Sequence, residues 1–148
     1  MEKKTVKFFD DFGFGFQVRI FNAPLLKVRG EWVLDVDQSK LQKTLLLALA
    51  SKPVRLTGNE IRFIRSFFEM TSTEFGEKFD VSHAAVLKWE RAQAQRTEMN
   101  WPTEKDIRLF VASKVQPKAT GFVAVYKELE EKADDSEMLV KIDGRKVA

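Results

Sequence analysis

Residues 56–90 read LTGNEIRFIRSFFEMTSTEFGEKFDVSHAAVLKWE, and this stretch decides the fold. Three short amphipathic segments follow one another with almost no linker. Thr57, with Glu60 three residues on, forms a capping box, and Ile61, Ile64 and Phe68 then recur at helical spacing. Thr71 or Ser72 opens a second helix that buries Phe75 and Phe79. Ser82 can cap a third, which buries Val86 and Trp89. Between them Phe79-Asp80-Val81-Ser82 must reverse the chain in very few residues. Val81 can plug the angle between the helices, and Asp80 is among the few non-glycine residues that tolerate a positive φ. The layout is that of a helix-turn-helix, which offers one helix to the major groove of DNA.

If Val86 and Trp89 face inward, the third helix exposes Ser82, His83, Ala84, Leu87 and Lys88. Lys88 can reach a guanine edge or a phosphate, and the Ala84 methyl can meet a thymine methyl. His83 lies in the first turn, within reach of a base or phosphate. Ser72 opens the second helix, whose free backbone N–H groups suit a phosphate. Arg91, Gln93 and Arg96 follow the reading helix and are placed for the DNA backbone. The expected DNA-binding set is therefore Ser72, Ser82, His83, Ala84, Leu87, Lys88, Arg91, Gln93 and Arg96. Arg65, Glu74 and Glu90 read as internal ion pairs, and Trp89 as core.

Outward from this stretch the chain divides into three zones. Residues 1–53 begin with period-two sequence: Val6, Phe8, Phe12, Phe14, Phe16, Val18 and Ile20 alternate with small or polar residues. Arg29-Gly30-Glu31 predicts a turn between two strands. Ser39 predicts the cap of a helix with Leu41, Leu45, Ala48 and Leu49 on one face, closed by Pro53. Residues 54–115 are helical throughout, Pro102-Thr103 opening the last helix with Ile107, Phe110 and Val111 inward. Residues 116–148 predict a helix over 120–132, with Phe122, Val125 and Leu129 as a dimerisation stripe, and a hairpin at Asp143-Gly144. The expected fold class is α+β: a mainly helical helix-turn-helix core, a small N-terminal β-containing domain, and a C-terminal helix with a possible hairpin.

Composition bounds the rest. The 148 residues carry 25 Lys and Arg against 22 Asp and Glu, a net charge of +3 that permits nucleic-acid binding without arguing for it. There is no cysteine, which excludes disulfides and thiolate metal sites. The start, Met1-Glu2-Lys3-Lys4, lacks the apolar run of a signal peptide, and no apolar run could span a bilayer, so a cytoplasmic, membrane-free protein is expected. No cofactor and no metal are expected. Enzymatic chemistry is disfavoured, because it needs converging groups and the chain has one His and no phosphate-cradling loop followed by a helix.

Glu74-Phe75, Val81-Ser82, Val86 and Trp89-Glu90 resemble the Xre/Cro-type helix-turn-helix, with Gly76 where Ala is usual and Asp80 where Gly is usual. Leu56-Thr57-Gly58 and Glu60-Ile61-Arg62-Phe63-Ile64-Arg65 are similar to the corresponding string of MqsA-type antitoxins, as are Phe21-Asn22-Ala23-Pro24 and Gly30-Glu31 more loosely. That family carries a zinc-binding N-terminal domain with two Cys-x-x-Cys pairs. Here Leu26 and Arg29 stand before Gly30-Glu31, and a tetrahedral thiolate site cannot form. A structural zinc supplies on the order of 10 kcal/mol to folding. The aromatic-rich start, Phe8, Phe9, Phe12, Phe14 and Phe16, is the expected replacement; strand pairing with a partner chain is the alternative.

The resemblance implies a type II antitoxin, which neutralises a ribonuclease-type toxin and represses its own operon as a homodimer on a palindromic operator. The expected partners are double-stranded DNA, a cognate toxin and a second copy of the chain. An operon or phage-type repressor without a toxin, and a helical protein-interaction adaptor, are the alternatives.

Overall fold

The computed structural model describes residues 1–115, 129 and 139–148. Its elements run β1 (Lys3–Asp11), β2 (Val18–Val28), β3 (Glu31–Leu34), α1 (Gln38–Ala50), α2 (Gly58–Phe67), α3 (Ser72–Lys78), α4 (His83–Arg91), α5 (Trp101–Val115) and β4 (Val140–Asp143), then a single 3-10 turn, Gly144–Lys146. The fold is α+β. No helix among the described residues is long and apolar enough to cross a membrane.

β2 organises the sheet. β1 pairs antiparallel along one side of it, with Phe9 opposite Ile20 and Asp11 opposite Val18. On the other side β3 pairs antiparallel at one end and β4 parallel at the other, Val18 opposite Val140 and Ile20 opposite Ile142. The β2–β3 turn is Arg29-Gly30, both at positive φ (51° and 83°), the geometry whose twist matches flanking strands.

Two sequence expectations fail here, and a third, the aromatic core, holds only in part. The alternating Phe12, Phe14 and Phe16 do not continue a strand. They form the loop between β1 and β2, where the Asp11 carboxylate accepts the Gly13 N–H at 2.7 Å and the Phe12 carbonyl accepts the Gly15 N–H. Phe14 and Phe16 meet the Phe63 ring edge-on at 5.5 and 5.8 Å, whereas Phe8 and Phe12 are exposed. The sheet's buried core is Val18, Ile20, Ala23 and Leu25 of β2 with Val140 and Ile142 of β4, and of the phenylalanine run only Phe9, Phe14 and Phe16 pack against it, partly buried. Asp143-Gly144 makes no hairpin. β4 pairs in parallel with β2 and not with the residues that follow it, and the Asp143 carboxylate accepts the Arg145 N–H to cap the 3-10 turn.

The helix caps also shift. Asp37, not Ser39, caps α1 by accepting the Lys40 N–H at 3.0 Å. Asn100, not Pro102-Thr103, accepts the Thr103 N–H at 2.9 Å and so starts α5. Each real cap lies two or three residues before the expected one, where a second cap-forming side chain competes.

One apolar core runs through these elements. Val18, Ile20, Val140 and Ile142 from the sheet meet Leu41, Leu45, Leu46 and Leu49 of α1. Ile107, Val111 and Ala112 of α5 continue it to Ile61 and Ile64 of α2, Phe75 of α3, and Val86 and Trp89 of α4. Burying each valine, leucine, isoleucine or phenylalanine among them stabilises the fold by about 1.5–3 kcal/mol. Of the expected dimerisation stripe, Phe122 and Val125 lie outside the described residues, and Leu129 is buried in this same core. The helix expected over 120–132 otherwise lies outside the described residues as well.

Candidate nucleic-acid interface

α3 and α4 are set by local chemistry. Thr71 caps α3 in a full capping box: its hydroxyl accepts the Glu74 N–H, and the Glu74 carboxylate accepts the Thr71 N–H, each at 3.1 Å. Asp80 carries the turn at φ 57°, as its residue type allows. Ser82 caps α4 by accepting the Ala85 N–H at 3.1 Å. The Val81 N–H reaches back to the Gly76 carbonyl at 2.8 Å. A β-carbon at Gly76 would stand 2.6 Å from the Val81 carbonyl oxygen, so this position has room only for glycine.

α4 is held against α2 by an ion cluster centred on the buried Glu90. Glu90 takes two hydrogen bonds from Arg65, both 2.8 Å, and one from Arg62 at 3.1 Å. Burial alone would raise the Glu90 carboxyl, but the Arg65 and Arg62 hydrogen bonds outweigh it and hold the group below the usual carboxylate range. The Arg65–Glu90 pair expected from the sequence is present. Glu74 is spent on its capping box, and Arg62 is the member the sequence reading missed. A carboxyl lowered in the folded state adds stability above its unfolded pKa of about 4.5 and loses it as pH falls through the lower folded value. We therefore expect the gap in urea midpoint between wild type and Glu90→Gln to be full above about pH 5 and to shrink on acidification. A gap unchanged down to about pH 3 would contradict this account of Glu90.

The outer face of α4 brings Ser82, His83, Ala84, Leu87, Lys88 and Arg91 together, all exposed. The one acidic residue of α4 is Glu90, and it is buried and paired, so the exposed face shows Lys88 and Arg91 with no opposing charge from its own helix. Glu77 and Asp80 are exposed on α3 and the turn. Ser72 is half-buried beside the capping box, whose carboxylate already holds part of that helix start. Gln93 is exposed, but its backbone is structural: it sits at φ 52° and its carbonyl accepts the Asn59 N–H at 2.9 Å. Arg96 is half-buried, and its backbone bridges to Thr57.

Among the described residues, no three His, Cys, Asp or Glu side chains gather where they could hold a metal. A cavity of about 240 Å³ opens between the β1–β2 loop and the start of α2, lined by Phe16, Gln17, Thr57, Asn59 and Glu60 among others. Its carboxylate, Glu60, is already bound by the Lys52 ammonium at 2.7 and 2.8 Å. Comparison of the chain with protein-family models, with curated proteins and with solved structures gives no match.

Proposed function

We propose that the protein is a sequence-specific DNA-binding repressor that reads the major groove with α4. The observation that supports this most is the exposed face of α4: small and polar at Ser82, His83 and Ala84, basic at Lys88 and Arg91, and backed by an ion cluster on the buried Glu90. Small residues let the helix start approach base edges, while Lys88 supplies a donor to a guanine or phosphate. Such a protein acts on a palindromic operator as a homodimer, its two reading helices one DNA turn apart. Its role is that of the antitoxin of a toxin–antitoxin pair in the cytoplasm, binding a ribonuclease-type toxin and carrying out no catalysis itself. This last step rests on the resemblance of residues 56–65 and 81–90 alone.

Lys88→Ala is expected to weaken operator binding about tenfold or more, and Leu87→Ala to weaken it less, in a duplex titration at fixed salt. A Lys88→Ala protein that binds as tightly as wild type would show that α4 is not the reading helix. An adjacent reading frame for a small basic toxin is expected; without one, the reading becomes an operon repressor.

A second reading draws on Leu87, an apolar side chain left 38% exposed on the same face. It makes α4 a docking surface for a protein partner. Duplex binding that weakens with salt argues against it, since phosphate contacts release counterions.

A further inference from the structure

Resting on the DNA-binding reading, we infer that Arg62 of α2 is an additional backbone-phosphate contact, outside the helix-turn-helix itself. Two guanidinium groups, Arg62 and Arg65, serve the single carboxylate of Glu90. The cluster therefore carries a net charge of about one positive unit, in a place where an isolated structural pair would be neutral. The two arginines are not equivalent. Arg65 is mostly buried and forks onto Glu90, with a further hydrogen bond to the Met70 carbonyl at 3.0 Å. Arg62 leaves 64% of its side chain in solvent and gives Glu90 only one hydrogen bond, through Nε. Its remaining N–H groups are available to an anion without loss of that bond.

The position fits as well. Glu90 is in the last turn of α4, so Arg62 stands beside the end of the reading helix, next in line to Arg91. A fixed guanidinium there would meet the DNA backbone bordering the groove that α4 enters. Phosphate contacts of this kind set register and affinity, not base preference.

The test is a duplex titration between about 50 and 200 mM salt with wild type, Arg62→Gln and Arg62→Lys, on a preferred site and a scrambled one. One lost phosphate contact lowers the log–log salt slope by about 0.9, so the affinity wild type loses over this fourfold salt range should shrink about threefold in Arg62→Gln. The ratio of preferred to scrambled affinity should stay unchanged, and Arg62→Lys should recover the slope. Thermal unfolding should move little, because Arg65 keeps Glu90 paired. An unchanged slope in Arg62→Gln overturns the inference. So does a lowered specificity ratio, which would mean that Arg62 acts by positioning α4. If wild type itself shows no salt-dependent duplex binding, it is the DNA-binding reading that fails.

Discussion

Replacing Glu104 with alanine is expected to cost about 3–5 kcal/mol of folding stability, the largest single loss we expect from a polar substitution in this protein. Glu104 and Arg108 sit one turn apart on α5, and both side chains are fully buried. The Arg108 guanidinium donates to Glu104 at 2.7 and 3.0 Å and to the carbonyls of Lys52 and Val54, and it stacks on Trp101. Glu104 also accepts from Arg55 at 3.0 Å and from the Leu56 N–H. The pair thus fastens the segment between α1 and α2 onto α5. Burial pushes the Arg108 guanidinium pKa down, and the Glu104 charge opposes that push. Alanine at 104 removes the opposing charge and leaves a cation in a dry core, which is why the cost exceeds that of an ordinary hydrogen bond. The double variant Glu104→Leu with Arg108→Met should be less destabilised than Glu104→Ala alone, because the only cation it leaves without Glu104 is the part-exposed Arg55, not the fully buried Arg108. Urea unfolding followed by circular dichroism reads both. A Glu104→Ala midpoint equal to wild type would show that the pair contributes little.

Gly58→Ala is expected to destabilise by about 1–3 kcal/mol and to loosen duplex binding with it. Gly58 begins α2 against the end of α4. A β-carbon there would lie 2.7 Å from the Gln93 amide nitrogen and 2.9 Å from the Glu90 carbonyl oxygen, and would press on the Trp89 carbonyl oxygen. These are backbone atoms that cannot swing aside. Alanine's better helix propensity, about 1 kcal/mol, offsets only part of the strain. Relief requires the end of α4 to move from α2, which also strains the Arg62–Glu90–Arg65 cluster. Wild-type stability in Gly58→Ala would refute this close packing.

The helices over residues 58–91, with their caps and turn, were legible because their signals are local. The Thr57–Glu60 box, the Ser82 cap, the Asp80 turn and the inward Val86 and Trp89 all sit within four residues of what they explain. The sheet was less legible because its decisive pairing is not local. β4 joins β2 in parallel across 122 residues, from Val18 to Val140, and no short pattern announces that. Asp143-Gly144 reads as a hairpin only if its neighbours pair with each other. Phe12, Phe14 and Phe16 alternate like a strand, yet Gly13 and Gly15 between them belong to the loop. The Glu104–Arg108 pair went unread in the sequence, because charges at (i, i+4) spacing are common on exposed helix faces and only the fold buries this one. On the candidate interface, the nine expected residues fall into six gathered on α4, counting its cap, and three tied to flanking backbone or caps: Ser72, Gln93 and Arg96. Arg62 escaped the reading because its importance comes from sharing Glu90, a contact 28 positions away.

The central claim, that α4 reads DNA, is tested most directly by selecting duplexes from a random-sequence pool with the full-length protein at low salt. The account predicts enrichment of an inverted repeat with half-sites about 10 base pairs apart, bound more weakly as salt rises, and lost with Lys88→Ala. A pool that returns no enriched sequence and no salt-dependent binding would contradict it.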